Sequence, residues 1–126
     1  MRKITISTDG VTATAVLREN PTADAIWEAL PLESRANTWG DEIYFSIPVE
    51  IEMADDASDV VEMGALAYWP PGKAFCIFFG RTPASRNGEI RAASAVNMFG
   101  TVEGDATVFK EVPHGAMIKV RKAEGE

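Results

Sequence analysis

A strand that is apolar on both faces constrains this chain more than any other feature. The run Tyr68-Trp69-Pro70-Pro71-Gly72-Lys73-Ala74-Phe75-Cys76-Ile77-Phe78-Phe79-Gly80-Arg81-Thr82-Pro83 joins a proline-glycine turn to a strand. In it Ala74, Cys76 and Phe78 are as apolar as Phe75, Ile77 and Phe79. In a small antiparallel sheet only one face of a strand looks into the core, so alternation is the rule. A strand that breaks the rule is either covered on its second face or presents an apolar groove, the usual mark of a binding surface.

The chain has 126 residues. That length fits a single domain, 1–126, able to bury roughly two-thirds of the surface its unfolded form exposes. The formal charge of −7 argues against a nucleic-acid partner, which needs a basic stripe to meet phosphates. No apolar stretch reaches the length of a membrane span, so no membrane partner is expected. Met1-Arg2-Lys3 is basic, but Thr, Ser and Asp follow at once rather than a signal-peptide core. The expected compartment is therefore the cytoplasm. A single cysteine permits no internal disulfide.

Lys3 to Leu17 reads as a hairpin, with Ile4 and Ile6 alternating with polar residues before the tight-turn pair Asp9-Gly10. Asn20 can cap a helix that begins at Pro21, whose missing N–H has no partner in a first turn anyway. Ala23, Ile26, Trp27 and Leu30 form its apolar stripe, and Pro31 ends it. So short a helix must pack on a sheet. Leu32 to Asp41 reads as irregular. Ile43, Phe45, Ile47, Val49, Ile51 and Met53 then occupy every odd position, which predicts one long curved strand with Glu42, Tyr44, Glu50 and Glu52 outward. Further strands are expected over Val60 to Trp69, 74–79, Ala95 to Val102 and Met117 to Arg121, with a helical turn over Asp105 to Val112 and a frayed tail from Ala123 to Glu126. Many short strands and two short helices favour a small closed antiparallel β-barrel.

The order of elements resembles that of cyclophilins, and three segments carry the likeness. Asn20-Pro21-Thr22-Ala23 with Ile26-Trp27 resembles the Pro-x-Thr-x-x-x-Phe helix opening. Gly72-Lys73-Ala74-Phe75-Cys76-Ile77 resembles the Gly-Ser-Gln-Phe-Phe-Ile strand. Phe99-Gly100-Thr101-Val102-Glu103-Gly104 resembles the Phe-Gly-x-Val-x-x-Gly segment. Closer still, Trp27 to Phe45 and Tyr68 to Ser85 resemble a family of short prokaryotic cyclophilin-like proteins of unknown function. The resemblance implies a cyclophilin-like barrel. It does not imply prolyl isomerase activity, because the catalytic arginine of cyclophilins falls here on Phe45 or Ser46. The strand glutamine is replaced by Ala74 and the pocket phenylalanine by Cys76.

No reaction is legible in the remaining residues. His114 lies in a Pro-His-Gly turn, and one His with one Cys lacks the spacing of a zinc site. No metal and no cofactor are expected. Cys76 among Phe and Ile reads as unreactive packing, and Asp41 as a turn residue. Arg81, Arg86 and Arg91 form a basic island that could hold an anionic group or pair with nearby carboxylates. Phase places Tyr44, Cys76 and Phe78 on one face, with Trp39 and Trp69 from adjacent turns and Arg81 or Arg91 from the following loop. Those residues are the candidate ligand site, with the arginine selecting a carboxylate or phosphate. The rival is that they are covered by the loop Thr82 to Arg91 or by a second copy of the chain. The leading reading is a binding module for a small molecule or peptide. The alternatives are a non-standard peptidyl-prolyl isomerase and a self-associating structural protein.

Overall fold

The structure, a computed structural model, describes residues 2–123; Glu124 to Glu126 of the expected tail lie outside them. Lys3–Ser7 (β1) and Thr12–Leu17 (β2) form the first hairpin, and Pro21–Ala29 is the helix α1. Leu32–Arg35 (β3) and Asn37–Thr38 (β4) occupy the segment expected to be irregular. Glu42–Ser46 (β5), Ser58–Val61 (β6), Ala65–Trp69 (β7) and Ala74–Phe78 (β8) follow, with a 3-10 turn at Pro70–Gly72 between the last two. Ile90–Val102 is the long strand β9, Ala106–Glu111 a second 3-10 turn and Met117–Lys122 the final strand β10.

The strands pair in the order β3-β10-β1-β2-β9-β7-β8-β5-β4, every pair antiparallel. This corrects the expected closed barrel: the hydrogen-bonded path is open. Its two ends, β3 and β4, are consecutive in the chain and separated only by Ala36. One stretch of backbone thus crosses from one edge of the sheet to the other, and a strand cannot ladder with its own continuation. Ala36 bonds instead to the turn before β10, its N–H to Ala116 O at 2.8 Å and its carbonyl from Gly115 N at 2.7 Å. Inside the curved sheet Ile4, Ile6, Ile43, Phe45, Phe75, Ile77, Phe99 and Ile118 are buried. The Phe75 ring stacks on Phe45 at 4.9 Å and meets Phe99 edge-on at 5.1 Å.

The second face of β8 is covered by a second layer. From Asn97 onward β9 runs in the main sheet beside β7, while its earlier part pairs with β6. That small sheet lies over Ala74, Cys76 and Phe78, and Val61, Ala65, Ala67, Ala92 and Val96 complete a separate apolar cluster. Phe75 and Ile77 point into the first core, Cys76 and Phe78 into the second.

The long strand expected from Ile43 to Met53 ends at Ser46. Pro48 has no N–H to give to a ladder, and the backbone beyond it is held by side chains. The Tyr68 hydroxyl donates to Val49 O at 2.7 Å and accepts from Ile51 N at 3.2 Å. Buried Asn97 donates to Glu52 O at 2.8 Å and accepts from Ala54 N at 2.8 Å. Its amide also donates to Thr22 Oγ1 on α1 at 3.2 Å. The alternation is nonetheless respected as far as Ile51, since Ile47 is buried and Val49 and Ile51 pack against the main core, whereas Met53, the last of the expected inward row, is exposed.

Asn20 caps α1 as expected, its side chain accepting from Ala23 N at 2.8 Å. Ile26 is fully buried, but Trp27 is not the core residue its periodicity predicts. It is half-buried at the rim, with Lys122 Nζ 4.6 Å and the Arg2 guanidinium 5.6 Å from its ring. Ile26→Ala should therefore cost about 2–5 kcal/mol, as for other buried aliphatics, and Trp27→Ala only about 1–2 kcal/mol. Chemical denaturation checks the order; a larger loss for Trp27→Ala would place that ring, not Ile26, at the helix–sheet contact.

Candidate functional site

Strand register brings the candidate residues to one face. Tyr44 lies opposite Cys76, Glu42 opposite Phe78, and Trp69 opposite Ala74, and directly paired residues share a face of the sheet. Trp39 stands in the tight turn between β4 and β5, its N–H donating to Glu42 O at 2.9 Å. That turn requires Gly40 at φ +62°, where an added Cβ would lie 2.9 Å from the Arg81 carbonyl oxygen. The Trp69 ring is fixed from two sides. Its Nε1 donates to Ser94 Oγ at 2.7 Å, and Gly72 sits so close beneath it that a Cβ there would come within 2.8 Å of ring carbons.

Between these side chains lies a cavity of about 260 Å³. Trp39, Glu42, Tyr44, Trp69 and Cys76 line it from β5, β7, β8 and the turn. β9 contributes only the small side chains of Ala92, Ala93 and Val96, which leave the two layers apart at this point. A larger hollow of about 930 Å³ lies beside Arg2, Arg18, Asn20 and Asp24. It is an open surface hollow of mixed lining in which Arg2 already pairs with Asp24 at 2.8 Å.

Four of the seven expected residues, Trp39, Tyr44, Trp69 and Cys76, thus face one cavity. Phe78 does not; it is fully buried in the second core. Neither arginine lines the cavity. Arg81 is exposed and donates to Ser85 O at 3.2 Å. Arg91 pairs with Asp59 at 3.1 Å and Glu89 at 3.2 Å, the neutralisation that a basic island in an acidic chain invites. The expected selection of a carboxylate or phosphate is therefore corrected.

Glu42 was expected to face solvent with the other outward residues of its strand. It is 5% exposed. The signal was its phase: it shares Tyr44's side of β5, the side that meets the second apolar face of β8. Burial pushes its carboxyl up from the usual 4.5 to about 7, a rise held back by the neighbouring Cys76 thiol. Burial also pushes the Cys76 thiol up, and the adjacent carboxylate pushes it further. Cys76 is accordingly a protonated wall residue at neutral pH rather than a nucleophile. Among the described residues Glu42 makes no ion pair.

A cyclophilin-like family model matches residues 2–121. The solution structure of a hypothetical protein from Archaeoglobus fulgidus is 42% identical, with a TM-score of 0.82 over 97% of this chain and 95% of that one. McbB, solved in complex with tryptophan, shares the fold at 19% identity and a TM-score of 0.71; the match takes in 98% of this chain but only 45% of McbB. No curated protein matches in sequence. No helix among the described residues is long and apolar enough to cross a membrane. Both the family match and the archaeal relative extend over nearly all of the open, two-layered sheet described above, and the chain belongs to the cyclophilin-like family.

Proposed function

We propose that this chain is a binding module that takes a small molecule, or one side chain of a peptide, into the cavity beside Trp69 and carries out no bond chemistry on it. The observation that supports this best is the make-up of the wall. Three aromatic side chains, the Cys76 thiol and small aliphatic side chains share the wall with a single carboxyl, Glu42, the usual pattern of a small-molecule site. The aromatic positions are fixed by the Gly40 turn, the Ser94 hydrogen bond and the Gly72 contact, so little ordering is left for binding to cost. The tryptophan complex of McbB lends only a fold-level analogy, because the likeness reaches the fold and no further.

A non-standard prolyl isomerase has less support. Of the positions matched to the catalytic arginine, Phe45 is buried against Phe75, and the Ser46 hydroxyl donates to Gly72 O at 3.0 Å. Among the described residues no arginine or lysine lines the cavity to stabilise a twisted imide.

The binding reading is tested by a thermal-shift screen of metabolites and short peptides. Hits should raise Tm for the native chain and bind about tenfold more weakly to Trp69→Ala and Gly72→Ala. Hits indifferent to both substitutions would move the site elsewhere. In an exchange assay on an X-Pro peptide we expect no acceleration over the uncatalysed tens of seconds; acceleration at micromolar protein would restore the isomerase. Glu42 also sets a pH dependence of stability. Between its unfolded value near 4.5 and its folded value of about 7, the folded chain holds a proton that the unfolded chain has lost. Stability should therefore fall as pH rises through that window, by up to ~3 kcal/mol, and stay level above it. Urea titrations of Glu42→Gln should lack this fall; an unchanged profile would assign it to another group.

A further inference from the structure

We infer that the ligand of this cavity is a compact cation, a protonated amine on an apolar or aromatic body, with the Glu42 carboxylate as its counter-ion. The inference rests on reading the cavity as a small-molecule site. Glu42 is 5% exposed, lines the cavity, and has no cationic partner among the described residues. A buried carboxyl without a cation is costly to ionise and keeps its proton instead, as burial does for Glu42 beside the Cys76 thiol. A cationic ligand seated in the cavity would take that proton's place, and a group so placed in a cleft is a candidate functional group.

The rest of the wall favours the same sign. Trp39, Tyr44 and Trp69 line the same cavity as the carboxyl, and aromatic faces attract cations through their quadrupole. The nearby guanidinium of Arg91, which would repel a cation, is occupied by Asp59 and Glu89 outside the cavity. The net charge of −7 draws cations toward the protein and repels anions. A neutral ligand could accept a hydrogen bond from protonated Glu42, but it would gain nothing from the surrounding charge distribution.

Pairing with a cation must draw the Glu42 proton off, so binding and ionisation are linked. The other titratable groups facing Glu42 are the Cys76 thiol on β8 and the Tyr44 phenol on its own strand. β7 contributes Trp69 there, β9 contributes Ala92, Ala93 and Val96, and the β4–β5 turn contributes Trp39, none of them titratable. Asp41, next in the chain, faces Lys110 at 3.8 Å. Burial holds the Cys76 thiol protonated, so a proton released on binding near neutral pH comes from Glu42.

The test uses the full chain and three probes of one shape: 2-phenylethylamine, 2-phenylethanol and 3-phenylpropanoate. Binding is followed by NMR at the indole N–H groups of Trp39 and Trp69. At pH 8 the amine should bind about tenfold tighter than the alcohol, with the carboxylate weakest. At pH 5.5 amine and alcohol should bind alike, a loss of about tenfold for the amine alone. Glu42→Gln should remove the preference for the amine over the alcohol and its pH dependence. The pH series on the native chain stands by itself if that variant fails to fold. Equal binding of amine and alcohol at both pH values would keep the cavity as a site and overturn the cation. A preference that survives in Glu42→Gln would overturn the counter-ion role. No response at either indole to any probe would overturn the site and the inference together.

Discussion

Burial of both faces of β8 is the constraint on which the rest of this structure depends. Phe75 and Ile77 on one side, and Cys76 and Phe78 on the other, are all removed from water, and each large side chain so removed is worth about 1.5–3 kcal/mol. One curved sheet can cover only one of those faces. A second layer is therefore required, and it is supplied by the first half of β9 with β6. The two layers are tied together because β9 belongs to both.

That double membership also explains how the irregular segment after β5 is held. Asn97 sits at the point where β9 passes from one partner strand to the other, opposite Tyr68. These two residues supply the hydrogen bonds that a neighbouring strand would otherwise give to Val49, Ile51, Glu52 and Ala54. Buried backbone groups must be satisfied by something. Here two side chains fixed on adjacent strands take the place of a ladder, and Asn97 reaches α1 through Thr22 as well. Helix, loop and sheet are thus joined at one buried amide.

The sequence made the doubly apolar strand, the capped helix, the first hairpin and the proline-glycine turn legible, since each depends on neighbours in the chain. Sheet closure was not legible, because it depends on where the two edges lie in space. The same holds for the strand that stops at Pro48: its alternation of apolar residues is genuine, but period two reports which side chains are buried and not what the backbone bonds to. Phase put Tyr44 and Cys76 on the side of the cavity and the turns put Trp39 and Trp69 beside them, but phase equally named Phe78, which the second layer buries. The arginines could not be placed this way, since their pairing with Asp59, Glu89 and the Ser85 carbonyl is a matter of tertiary placement. Trp27 misled for a related reason: an apolar stripe on a short helix marks the side facing the sheet, and its outer member reaches only the rim.

Glu42 is the residue at which local expectation fails most usefully. A glutamate in an outward phase ordinarily belongs to water, and nothing in the main sheet needs this one. The second layer turns that outward face inward, yet it does so with Ala92, Ala93 and Val96, side chains too small to fill the space over Trp69 and Tyr44. Larger aliphatic residues on β9 would close the gap and an alanine at position 42 would remove the burial penalty, both by familiar packing arithmetic. A wall kept thin and a carboxyl kept unpaired are two separate departures from the most stable arrangement, and they meet in the same cavity. Packing arithmetic favours neither, whereas the occupant we propose, one that fills the space and compensates the charge, would account for both.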